Sequence, residues 1–105
     1  MLLRGKKLGL LLSTRPEHPN FKHGLRLAEV ALSQGVLVYL YCIDDAVWGV
    51  GDPKLQDLKS RGLNLYACAY GAQRRNVPLS DLAAFAGLGV VSDLMAGTDR
   101  FLSFN

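Results

Sequence analysis

Two near-continuous apolar runs of strand length, residues 7–13 (KLGLLLS) and 36–43 (VLVYLYCI), constrain what this chain folds into more than any other feature. A strand with one face in water alternates apolar and polar residues. Runs without a polar face belong to strands covered on both sides, the pattern of a parallel sheet. Between them, residues 21–34 place Leu25, Leu27, Ala28, Val30, Ala31 and Leu32 on a broad apolar face with Lys22, Arg26 and Glu29 outside it, and Gly35 supplies the stop. Strand, helix and strand in that order make a parallel crossover unit.

A third segment, residues 64–67 (NLYA), reads as a short buried strand that runs straight into Cys68, and residues 69–75 (AYGAQRR) open a helix. Cys68 therefore stands at a strand-to-helix junction. Unpaired backbone N–H groups and the positive end of the helix dipole favour an anion there, which biases a thiol toward thiolate. Arg74 and Arg75 lie further along and add positive potential. The residues alone leave two readings open: a reactive thiol, or a small hydrophobe that finishes a core strand.

The remaining segments fit around these. Pro16 and Pro19 in residues 14–20 are expected to exclude both helix and ladder, with Asn20 as the cap of the first helix. Asp44 is expected to cap a short helical segment through Trp48, before Gly49, Gly51 and Pro53 break the chain and a helix runs over residues 53–61. Residues 78–80 read as a break capped by Ser80, 81–86 as a short helical piece, 89–91 as a brief strand, 93–97 as a helix capped by Ser92, and 100–104 as a terminal strand. The sum predicts an α/β, single-domain three-layer fold over residues 1–105: a mostly parallel sheet of about five strands with helices on both faces.

Ligands of such sheets collect beyond the carboxyl ends of the strands. The loop 14–20, the turn 42–48 and Cys68 should meet at that edge. No GxGxxG follows the first strand and no GxxxxGK[ST] is present, so neither a dinucleotide nor a P-loop site is indicated, and no cofactor is expected. The net charge is +3, but the basic residues are scattered rather than gathered with aromatics, which argues against direct nucleic-acid binding. The apolar run 8–12 is too short for a signal peptide or membrane span, so the expected location is the cytoplasm. The two cysteines, Cys42 and Cys68, lack CxxC spacing and read as separate thiols.

Strand two with its Asp-Asp-Ala-Val-Trp turn, then residues 66–77 (YACAYGAQRRNV), then the closing residues 98–104 (TDRFLSF), resemble the DsrE/DsrF-like family in that order, over nearly the whole chain. That family includes the TusD and DsrE sulfur-carrier subunits and the YchN-like proteins. The resemblance implies that Cys68 accepts sulfane sulfur as a persulfide and relays it from a donor to an acceptor protein, a sulfurtransferase-like role. It also implies a homo- or hetero-oligomer, a trimer or hexamer. Asn76 stands where the family often has glycine; Asn also tolerates a left-handed backbone, so the turn can survive. The segment between the second and third strands is short, which trims a region that often packs against neighbouring subunits.

Other residues are weighed against these. Cys42 is a candidate resolving thiol, with core packing the simpler reading. His18 and His23 read as surface residues, and two histidines without a third ligand at matching spacing make no metal site. Asp44 and Asp45 are adjacent and point apart, so capping is expected rather than a carboxylate pair. Trp48, Tyr70 and Phe21 lie near strand ends and wall a pocket or, preferably, a subunit interface. Two functions outside persulfide relay remain: a non-catalytic oligomeric binding or regulatory subunit with Cys68 only structural, and a small-molecule pocket rimmed by Arg15, Trp48 and Tyr70.

Overall fold

The computed structural model describes residues 2–105. Five strands, β1 (Lys7–Leu12), β2 (Leu37–Cys42), β3 (Asn64–Cys68), β4 (Ala84–Ala86) and β5 (Arg100–Phe104), form one sheet in the order β4-β3-β2-β1-β5. Every neighbouring pair is parallel, so all five carboxyl ends share one edge. The connections carry α1 (Pro19–Ser33), a 3-10 helix (Asp44–Gly49), α2 (Pro53–Ser60), α3 (Ala69–Arg74) and α4 (Gly89–Gly97). This is the α/β architecture that the apolar runs predict.

Side-chain alternation divides the core in two. Leu10, Leu12, Val38, Leu40, Cys42, Leu65 and Ala67 point to one face, where Phe21, Leu25, Ala28 and Ala31 of α1 and Leu55 and Leu58 of α2 cover them. Tyr41, Tyr66 and Cys68 point to the other face, which Val47 of the 3-10 helix and Val90, Val91 and Leu94 of α4 cover.

Three local readings change. Helix α1 begins at Pro19, at the position where a missing N–H costs nothing, and the cap is His18, whose Nδ1 accepts from the Asn20 N–H at 3.0 Å. Asn20 instead donates through its side chain to Asn105 O at 2.7 Å. Residues 84–86 are strand rather than helix: Ala84 and Ala86 pair with Tyr66 and Cys68, and the Tyr41 hydroxyl donates to Ala86 O at 2.9 Å. The expected strand 89–91 and helix 93–97 are one helix, α4, because Val90, Val91 and Leu94 lie on a single helical face against the sheet.

Gly24 fixes the approach of α1 to the sheet. A Cβ there would come within 2.5 Å of Leu12 Cδ2, and Leu12 is fully buried, so its side chain has nowhere to swing. The gain in helix propensity from alanine, up to ~1 kcal/mol, is smaller than the cost of overpacking a sealed core, ~1–3 kcal/mol. Gly24→Ala is therefore expected to lower the urea midpoint with an unchanged denaturant slope; an equal or higher midpoint would show that the layer spacing is slack.

Candidate functional site

Cys68 is both the last residue of β3 and the N-cap of α3. Its backbone is still extended (φ −71°, ψ 115°), and its Sγ accepts the Gly71 N–H at 3.3 Å. The sulfur thus does what a capping oxygen does, answering one of the free N–H groups of the helix start. Cys68 is 4% exposed and lies in the wall of a surface recess of about 560 Å³ at the carboxyl edge of the sheet. Ile43 and Asp44 from the end of β2, Tyr70, Gly71, Arg74 and Arg75 around α3, and Leu88 after β4 complete the recess.

Tyr41 lies beneath Cys68 on the same face and is fully buried. Burial pushes its phenol well above the ordinary range, and the neighbouring Cys68 sulfur adds to the shift, so the hydroxyl keeps its proton and donates a hydrogen bond to Ala86 O.

The two arginines are held differently. Arg75 donates through Nε to Asp45 Oδ1 at 3.0 Å and through Nη1 to Gly71 O at 3.3 Å. Arg74 donates to the Tyr70 hydroxyl at 3.3 Å, with its guanidinium carbon 5.8 Å from the Tyr70 ring centroid. Asn76, after Arg75, has φ 56°, so the turn out of α3 closes without glycine.

Several expected site residues are placed elsewhere. Arg15 and Trp48 line a separate hollow of about 290 Å³ with Pro16 and Glu17, whereas Tyr70 belongs to the Cys68 recess; the rim drawn through all three is two surfaces. Phe21 is 1% exposed and packs against Gly49, so it walls neither a pocket nor an interface. Cys42 is fully buried on the opposite face of the sheet from Cys68, in register with Leu12 and Ala67. A resolving thiol would have to reach through the sheet, so Cys42 is a core residue. His18 and His23 are exposed, His23 beside Asn20 at 3.3 Å, and neither lines the recess.

Asp44 does not cap the 3-10 helix: the cap position is Ile43, and Asp44 takes a left-handed φ of 52°. Asp45, expected only as a capping candidate, is the anion that holds Arg75, with Arg15 Nε 3.9 Å away on its other oxygen. Its partner lies 30 residues on, a pairing that no local spacing reveals. Among the described residues no group of three His, Cys, Asp or Glu converges as metal ligands, and no helix is long and apolar enough to cross a membrane.

The sequence profile of the DsrE/DsrF-like family matches residues 6–104, and the chain belongs to that family. Among solved structures, the crystal structure of the YchN protein from E. coli has the same fold, with a TM-score of 0.82 at 18% sequence identity, covering 94% of this chain and 99% of that one. No curated protein sequence matches this chain.

The two thiols are expected to behave differently. Burial pushes the Cys42 thiol up from 9.0 to about 12, so in the folded protein it stays protonated and resists alkylation at neutral pH. Its raised pKa also makes folding pH-dependent: below pH 9.0 both states hold the proton, and between 9.0 and about 12 only the unfolded chain releases it. The urea midpoint should therefore fall through that window. Cys42→Ala should flatten part of the fall, although it is less stable at pH 7; an identical pH slope in the variant would show that Cys42 is not the group responsible.

Proposed function

We propose that this chain is a sulfur carrier of the DsrE/DsrF-like family, in which Cys68 accepts sulfane sulfur as a persulfide and passes it to a partner protein. The observation that carries the reading is the Cys68 sulfur itself: it ends a central parallel strand, accepts a backbone N–H, and opens on a recess flanked by guanidinium groups. Sulfur relay with partner proteins is the general business of the family.

The chemistry is an exchange at sulfur. The Cys68 thiolate attacks the terminal sulfur of a donor persulfide; the new S–S bond forms as the donor S–S bond breaks, and the donor leaves as a thiolate. The terminal sulfur on Cys68 then carries the negative charge, for which the Arg74 guanidinium on the recess wall is the counter-charge in this reading, while the Gly71 N–H stays on Sγ. Attack by an acceptor thiolate on that terminal sulfur regenerates Cys68. No net oxidation or reduction occurs, and no cofactor is required.

The limited exposure of Cys68 suits a donor that presents one terminal sulfur into a recess. Tyr70 and Leu88 stand exposed on the recess, at 66% and 58%, and offer apolar contact to donor, acceptor or a neighbouring subunit in a homo- or hetero-oligomer, a trimer or hexamer. The expected setting is the cytoplasm, where thiols stay reduced. A second reading, a non-catalytic binding or regulatory subunit of the same fold, is favoured by one observation: Cys68 is only 4% exposed.

Intact mass spectrometry after anaerobic incubation with a sulfane-sulfur donor distinguishes the two. The carrier gains the mass of one sulfur in wild type and in Cys42→Ser but not in Cys68→Ser. No adduct, with Cys68 also inert to alkylation in the folded protein, would favour the regulatory subunit.

A further inference from the structure

The non-glycine residues with positive φ among the described residues, Asp44 at 52° and Asn76 at 56°, flank the two halves of one ion pair. Asp44 precedes Asp45, Asn76 follows Arg75, and Asp45 Oδ1 lies 3.0 Å from Arg75 Nε. A left-handed backbone is unfavourable for a residue with a side chain and persists where the surroundings over-determine it. Here the two turns aim the end of β2 and the end of α3 at each other.

From that pair a line of contacts leads to the sulfur. Arg75 Nη1 donates to Gly71 O at 3.3 Å, and the Gly71 N–H donates to Cys68 Sγ at 3.3 Å. We propose that Asp45 is a positioning residue of the sulfur-accepting site: by holding Arg75 it pins Gly71, and so keeps the Gly71 N–H on the Cys68 sulfur. The side chains of Asp45 and Arg75 are 45% and 26% exposed. An ion pair so open to water adds little to stability, and its consequence is geometric. Arg15, at 3.9 Å and 72% exposed, braces the same carboxylate from the loop after β1. Arg74 stands outside this line, bonded to Tyr70, so the neighbouring arginines divide the work: Arg75 positions, and Arg74 presents charge to the recess.

The inference rests on Cys68 being the sulfur acceptor, and its test is separable from that reading. The Cys68-specific rate of alkylation by iodoacetamide and the thermal midpoint are measured for wild type, Asp45→Asn, Asp45→Glu and the swapped double variant Asp45→Arg/Arg75→Asp. Asp45→Asn is expected to slow alkylation about tenfold, the scale set by losing a well-placed donor to an anion. Asp45→Glu should recover part of that rate. The midpoint is expected to stay near wild type in all three variants, and the swap, although it keeps an ion pair, should not recover the rate, because an aspartate side chain at position 75 has no N–H to give Gly71 O. A wild-type rate in the swap or in Asp45→Asn would overturn the proposal. Should Asp45→Asn fail to fold, Arg75→Lys keeps the charge pair without the forked donor and is expected to slow alkylation at an unchanged midpoint; a wild-type rate there overturns the proposal equally. If wild type never accepts sulfur while Asp45→Asn still slows alkylation, the hold of Asp45 on the Cys68 sulfur is supported and the carrier function falls.

Discussion

A parallel sheet has to be buried on both faces, and the rest of this structure follows from that requirement. Antiparallel hairpins can leave one face in water, but crossover connections of a parallel sheet lay helices over both. The same topology sends every strand out of the sheet at one edge, and each exit there must turn into a helix or loop. Cys68 is such an exit. Its sulfur caps the helix that the crossover demands, so the element that closes the fold also brings a backbone donor to the thiol.

The pleat sorts the two cysteines. Cys42 and Cys68 both finish central strands, yet the register that pairs Cys42 with Ala67 puts Cys68, one residue on, on the other face. One thiol is sealed among Leu12, Leu40 and Ala67; the other reaches a recess whose wall includes two arginines. Chemically alike residues acquire different surroundings from a one-residue difference in strand parity. Of the two arginines on that wall, Arg75 is paired with Asp45 and Arg74 is bonded to the Tyr70 hydroxyl.

How much of this was legible in the sequence follows from the range of the interactions involved. The strands β1, β2 and β3, helix α1 and the junction at Cys68 were readable because each is encoded by its own apolar pattern and punctuation. Residues 81–97 were not. β4 is only three residues long, two of them alanines with little strand propensity, and is held by pairing to β3; the valines at 90 and 91, which favour strand, are helical because that helix packs them against the cluster of Tyr41, Val47, Cys68 and Leu94. Tertiary pairing overrode local preference in both places. The Asp45–Arg75 pair was invisible for a related reason, because its members are 30 residues apart and a left-handed residue stands beside each. Membership of the DsrE/DsrF-like family, by contrast, was carried by the ordered set of Asp-Asp-Ala-Val-Trp, the Cys68 element and the closing strand, and the family profile spans the same segments.

The account stands on Cys68 as the atom that receives sulfur, and a crystal structure of the protein treated anaerobically with a sulfane donor tests this directly. It predicts one additional sulfur bonded to Cys68 Sγ, directed into the recess toward Arg74, with the Asp45–Arg75 pair and the Gly71 N–H still in place. An unmodified Cys68 in a protein whose treatment has placed sulfur on Cys42, or nowhere, would contradict it.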